Sequence, residues 1–150
     1  MSDAFDSREA IACLIPHAGR MCLWQRVVEW NDTRIRLEAF DHVAPDHPLR
    51  HRGRLHAVHL AEYGAQAMAV HGGLRALRAG GGARPGLLVA LRGVSLMRDR
   101  IDDLDGALDG EAEVLVESAT GAQYAFVIRH AGEVVAEGRA AWCACSRRWR

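Results

Sequence analysis

The sequence predicts an α+β fold in which one long helix lies against a curved antiparallel sheet. Three observations predict it. The stretch Leu55–Leu74 has no Pro and is rich in Ala, Leu and Met, a composition that favours helix. Strand-like runs lie on both sides of it, with clear alternation in Glu111-Ala112-Glu113-Val114-Leu115-Val116-Glu117. Those runs are joined by short turns rather than by further helices, so a single helix must bury itself against the sheet they form.

The elements follow in order. Ser7 is positioned to cap a short helix ending before Pro16. Met21 to Trp30 and Thr33 to Phe40 read as two strands, with Asn31-Asp32 as a two-residue hairpin turn. Asp41 to Gly53 is polar, contains two Pro, and reads as a loop. The long helix follows, with Gly72 and Gly73 as its fraying end. A Gly-rich loop runs from Gly80 to Gly86. Four strands complete the chain: Leu87 to Met97, Gly110 to Ser118, Ala122 to His130 and Glu133 to Cys145, the last two joined by a turn at Ala131-Gly132.

The 150 residues fit one domain, residues 1–150, with enough apolar content (49%) for a substantial core. Nineteen basic residues, all Arg, balance nineteen acidic ones. A net charge near zero argues against nucleic acid and against an anionic membrane surface. No run approaches the ~20 apolar residues of a bilayer span, and the acidic N-terminus is unlike a signal peptide. A cytoplasmic protein with free buried thiols is the expectation for Cys13, Cys22, Cys143 and Cys145. Cys143 and Cys145 share a strand face, but no His or Asp stands at ligand spacing, and no metal is expected.

Function is concentrated on the long helix. Between Arg54 and Arg75 the one formal charge is Glu62. A helix without a charged stripe is buried on most sides. A carboxylate kept there is costly unless it is paired, protonated or used. Helical spacing places His59 and Gln66 on the same face as Glu62. A carboxyl in that setting suits general acid or base work. The structural alternative is an ion pair with an Arg of the sheet. Five histidines precede or open the helix: His42, His47, His51, His56 and His59. Pro48 restrains His47 in an extended conformation.

With these residues in place, the chain resembles the hotdog-fold 3-hydroxyacyl-acyl carrier protein dehydratases, in particular the branch associated with aryl-polyene and polyketide-like clusters. The resemblance is carried by Ile15-Pro16-His17-Ala18-Gly19-Arg20-Met21, by His47-Pro48-Leu49-Arg50 with Gly53-Arg54-Leu55, and by Glu62-Tyr63-Gly64-Ala65-Gln66-Ala67-Met68-Ala69-Val70-His71-Gly72. It covers nearly the whole chain and implies a hotdog fold, a long central helix wrapped by a curved antiparallel sheet. It also implies a catalytic pair of Glu62 and His47, with His42 and His51 as alternatives for the imidazole. The usual Gly-His-Phe-Pro loop is absent, and His47 stands one residue farther from Glu62 than the pattern expects.

The implied reaction removes a proton from the carbon beside a thioester carbonyl and expels the neighbouring hydroxyl as water. Backbone N–H groups at the helix start, at Ala57 or Val58, would polarise the carbonyl. His47 would act as base and Glu62 as acid, while His59 and Gln66 would line the substrate site. No cofactor is implied. The substrate would ride on the phosphopantetheine of an acyl carrier protein, which Arg50, Arg52 and Arg54 could meet. Gly64, Ala65 and Ala69 could leave room for an acyl chain. Related enzymes are dimers, so a homodimer or a heterodimer with another hotdog subunit is expected. A thioesterase of the same fold and a non-catalytic hotdog subunit that binds a catalytic partner are the competing readings.

Overall fold

The computed structural model describes residues 5–15, 19–81 and 86–144. The Ser7 hydroxyl accepts a hydrogen bond from Ala10 N–H at 3.2 Å and caps α1 (Arg8–Ala12), as its position in the sequence suggests. Strands β1 (Arg26–Trp30) and β2 (Arg34–Ala39) pair antiparallel. Strand β1 begins later than Met21 because the preceding residues are drawn to the helix, where Leu23 N–H donates to the Gln66 side-chain oxygen at 2.9 Å. The β1–β2 turn is longer than two residues. Asn31 Oδ1 accepts from both Thr33 N–H (2.9 Å) and Arg34 N–H (3.0 Å), a side-chain bond pattern that displaces the two-residue turn.

The central helix opens with a 3-10 turn (Ala57–His59) and continues as α2 (Leu60–Arg78). It does not end at Gly72-Gly73. A Cβ on Gly73 would lie 2.6 Å from the Leu14 carbonyl oxygen, so this glycine lets the end of α1 approach closely. The end comes at Gly80, in the left-handed region (φ +83°). Gly80 N–H donates to Leu77 O, and Gly81 N–H to Ala76 O. These two bonds form a Schellman cap.

Strands β3 (Gly86–Leu96), β4 (Leu108–Ser118), β5 (Gly121–His130) and β6 (Glu133–Ala144) complete one sheet in the order β1-β2-β4-β5-β6-β3. Every neighbouring pair is antiparallel. Ala131 and Gly132 both adopt positive φ (50° and 84°), the requirement of the expected tight turn. The inner face supplies Ala112, Tyr124, Phe126, Ile128, Ala136 and Ala140, which join Tyr63, Ala67, Met68 and Leu74 of α2 in one core. Gly64 is the close approach of helix and sheet, since a Cβ there would lie 2.6 Å from the Phe126 ring. Its small size therefore serves packing rather than an acyl channel.

The thiols depart from expectation in part. Cys22 is buried, but Cys13 and Cys143 are exposed, and Cys145 lies outside the described residues. The expected burial of α2 holds: Tyr63 through Met68 are all covered. Among the described residues no helix is long and apolar enough to cross a membrane.

Candidate active site

The start of the central helix is clamped by the loop that follows β3. Leu55 N–H donates to Asp102 Oδ1 at 2.9 Å, and Ile101 N–H donates to Leu55 O at 3.0 Å. Arg100 pairs with Asp102, donating from Nε to Oδ1 at 3.1 Å and from Nη2 to Oδ2. The Arg100 guanidinium holds the Asp102 carboxyl well below the usual carboxylate range. Nothing in the sequence singles out Asp102, which is brought to the helix by long-range folding.

This clamp decides which backbone amides are available. Ala57 is wholly buried and its N–H donates to Asp99 O at 2.8 Å. It therefore does not present the carbonyl donor expected of it. Val58 N–H donates to His56 Nδ1 at 3.0 Å. His56 is exposed and acts as the N-cap, so Val58 is the one of the two amides held by a solvent-facing side chain.

Glu62 sits in the first turn of α2, half-buried, at the position the sequence marks. Its Oε1 accepts from Gln66 Nε2 at 3.2 Å. Gln66 is itself 1% exposed and fully engaged. Its Nε2 also donates to Met21 O at 2.7 Å, and its Oε1 accepts from Leu23 N–H. Gln66 is thus a positioning residue that fixes Glu62 and the entering chain, rather than part of the substrate lining. His59 is half-buried on the same helix face. Burial and the neighbouring His56 push its pKa down, and the Glu62 charge acts in the opposite sense.

His47 turns inward. It is 3% exposed, its Nδ1 accepts from Leu49 N–H at 3.1 Å, and its Nε2 lies 3.3 Å from Tyr63 Oη. An amide N–H can only donate, so Nδ1 carries the lone pair and Nε2 carries the proton, which it donates to the phenol. Burial pushes the His47 pKa down, which favours this neutral form. Tyr63, missed by reasoning that sought charged groups, is buried with its pKa raised by desolvation. It packs edge-on against Trp24 at 5.4 Å. Of the alternatives, His42 is wholly buried and bonded to Leu104 O at 2.7 Å, and His51 is exposed on a small hairpin. The opening Pro16-His17-Ala18 lies outside the described residues.

The ApeP-like family, described as ApeP dehydratase, matches residues 9–145. The chain belongs to that family. It is accordingly a hotdog dehydratase of the aryl-polyene branch, the function and the fold that the sequence led us to expect. Among solved structures, a chain of the dehydratase heterocomplex ApeI:P from Xenorhabdus doucetiae is similar over 91% of each chain, at 20% identity and a TM-score of 0.81. Thioesterase superfamily member 2 of zebra fish shares the fold at 19% identity over 92% of this chain and 93% of its own, with a TM-score of 0.63. A hypothetical thioesterase with coenzyme A from Streptococcus pneumoniae does so at 14% identity, over 83% and 88%, with a TM-score of 0.59. No curated protein matches this dehydratase.

Proposed function

We propose that this dehydratase converts a 3-hydroxyacyl thioester, carried on an acyl carrier protein, to the trans-2-enoyl thioester and water. The observation that supports this reading is Glu62, the one carboxylate of α2, half-buried in its first turn and oriented by Gln66. Glu62 protonates the departing hydroxyl, and an imidazole removes the proton from the carbon beside the carbonyl. Within this chain His59, one turn away on the same face, suits that step better than His47, whose two ring nitrogens already have partners. The Val58 amide polarises the carbonyl once the His56 ring turns aside. The reaction is a proton transfer with loss of water and needs no cofactor.

Two surfaces complete the proposal. The hairpin around Arg52-Gly53 holds Arg52 and Arg54 exposed just before the helix, suited to an acidic carrier protein in the cytoplasm. Strand β3 is an edge strand whose Leu87 and Val89 are 61% and 59% exposed. A long apolar edge of this kind is a template for another strand, and we assign it to a second hotdog subunit. The ApeI:P assembly, a heterocomplex, is consistent with an arrangement of that kind.

Mass spectrometry of a 3-hydroxyacyl-acyl carrier protein incubated with the chain, alone and with a candidate partner subunit, tests the reading. Loss of one water is expected, and Glu62→Gln should lower it by ~10²–10⁴-fold with the fold intact. His59→Gln should fall by a similar factor. Release of free acid, or full activity in Glu62→Gln, would refute the assignment.

A further inference from the structure

The outer face of the sheet holds a cavity that the dehydration chemistry does not use. Arg92, Gly93, Ala125, Val127, Glu137 and Arg139 line an open depression of about 380 Å³. We propose that this depression binds a phosphate monoester, gripped between the guanidinium groups of Arg92 and Arg139.

Strand register builds the site. Arg92 of β3 and Arg139 of β6 are direct cross-strand partners, and Arg139 in turn stands opposite Ala125 of β5. Side chains in such register share one face, with their Cβ atoms about 4.5–5.5 Å apart. Beyond Arg92 the ladder shifts. Ser95 is the next residue of β3 to pair, with Glu137, so Gly93 and Val94 together face Gly138. This is a β-bulge, a device that re-aims side chains beside functional sites. Gly93 adopts the left-handed region (φ +57°), and a Cβ there would meet nothing within 4 Å. The surface beside Arg92 is therefore open, with half-buried Ala125 and Val127 as small apolar neighbours.

Charge sets the ligand. The other arginines of the strands are matched to acids. Arg26 lies 3.5 Å from Glu38, Arg36 lies 3.3 Å from Glu29, and Arg34 and Arg129 each lie 3.5 Å from Glu111. Arg92 and Arg139 are exposed, and neither forms an ion pair among the described residues. Like charges directly across two strands are destabilising, and an anion between them reverses that. A carboxylate is saturated by one guanidinium fork. A phosphate monoester has three acceptor oxygens and a charge of about −1.5 to −2, enough for two forks. Glu137 on the rim leaves the depression cationic and offers an acceptor to a hydroxyl on the body of the ester. The volume suits such a small ester, at the low end of the roughly 300–1,000 Å³ of ligand sites. Strand addition at the β3 edge uses backbone groups and leaves this face open.

Isothermal titration calorimetry at constant ionic strength tests the site with inorganic phosphate, glycerol 3-phosphate, pantetheine 4′-phosphate and acetate. The three phosphates are expected to bind and acetate is not. Arg92→Gln and Arg139→Gln should each weaken phosphate binding about tenfold, the loss of one hydrogen bond to a charged group. Arg36→Gln, whose guanidinium is already paired with Glu29, should leave it unchanged. Glu137→Gln should tighten inorganic phosphate by removing a like charge. Amide shifts in nuclear magnetic resonance should centre on residues 92–94 and 137–139, and circular dichroism verifies folding of each variant. Preference for pantetheine 4′-phosphate assigns the site to a carrier-borne phosphate, and equal binding of glycerol 3-phosphate assigns it to free monoesters. Absence of phosphate binding, acetate binding as tightly, unchanged affinity in both arginine variants, or shifts centred on Arg52 and Arg54 would each overturn the proposal.

Discussion

Replacing Gln66 by Leu removes three hydrogen bonds while keeping the side-chain volume nearly constant, which isolates the polar role of this residue. Leu23 is wholly buried, so its N–H, deprived of Gln66 Oε1, has no water to turn to. An unpaired buried amide costs about 1–3 kcal/mol. Met21 is 36% exposed, so its carbonyl, deprived of the 2.7 Å bond from Nε2, recovers hydration and adds about 1 kcal/mol or less. The sum is about 1–4 kcal/mol. For a chain of this length each kcal/mol lowers Tm by roughly 2–4 °C, so a fall on the order of 10 °C is expected in calorimetry. Gln66→Glu sharpens the test. Its carboxylate still accepts from Leu23 N–H, but it cannot donate to Met21 O and it faces Glu62 with like charge. It should be at least as destabilised as Leu at neutral pH, because a buried carboxylate there faces two other acceptors, and it should lose dehydration as severely, because the group that orients Glu62 has been inverted. A Gln66→Leu protein that melts with wild type, or a Gln66→Glu protein with undiminished turnover, would refute the reasoning.

Gly64→Ala places a methyl group 2.6 Å from the Phe126 ring, between two buried elements, and should cost about 1–3 kcal/mol in urea unfolding. Phe126→Leu in the same chain should recover part of that loss by making room. The pH dependence of stability follows from three buried histidines, His42, His47 and His71. Burial is the first cause of each depressed pKa. In the window between those depressed values and the unfolded value near ~6.5, the unfolded chain binds more protons. Stability is therefore fully present above about pH 6.5 and is lost as pH falls below it, by at most ~1.4 kcal/mol per pH unit for each histidine. Urea unfolding at pH 7.5 and 5.5 should show the lower midpoint at pH 5.5. His71→Gln should reduce the difference, since its ring bonds to Asn31 O and Tyr124 Oη can be made by an amide that does not titrate.

The sequence by itself determined the helix, most of the strands and the central acid. One charge in twenty residues says that a helix is enclosed and that Glu62 is kept for a reason, because an idle carboxylate in that setting is too costly. Alternation and the Ala131-Gly132 pair marked strands and their turn through local sterics alone. The family resemblance, carried by contiguous motifs, led to the dehydratase assignment that the comparison with known proteins supports. Tertiary structure decided what depends on residues far apart in the chain. Gly73 reads locally as a helix end, yet Leu14 packs against it and α2 runs on to Arg78. Ala57 reads as a free amide at a helix start, yet the backbone carbonyl of Asp99, forty-two residues later, accepts its hydrogen bond. His47 reads as a catalytic loop histidine, yet Tyr63 and Leu49 turn it into the core. Hydrogen-bond satisfaction is a property of the whole fold. Residue type and spacing show which groups can react, and the distant partners of each group decide which of them remain free to do so.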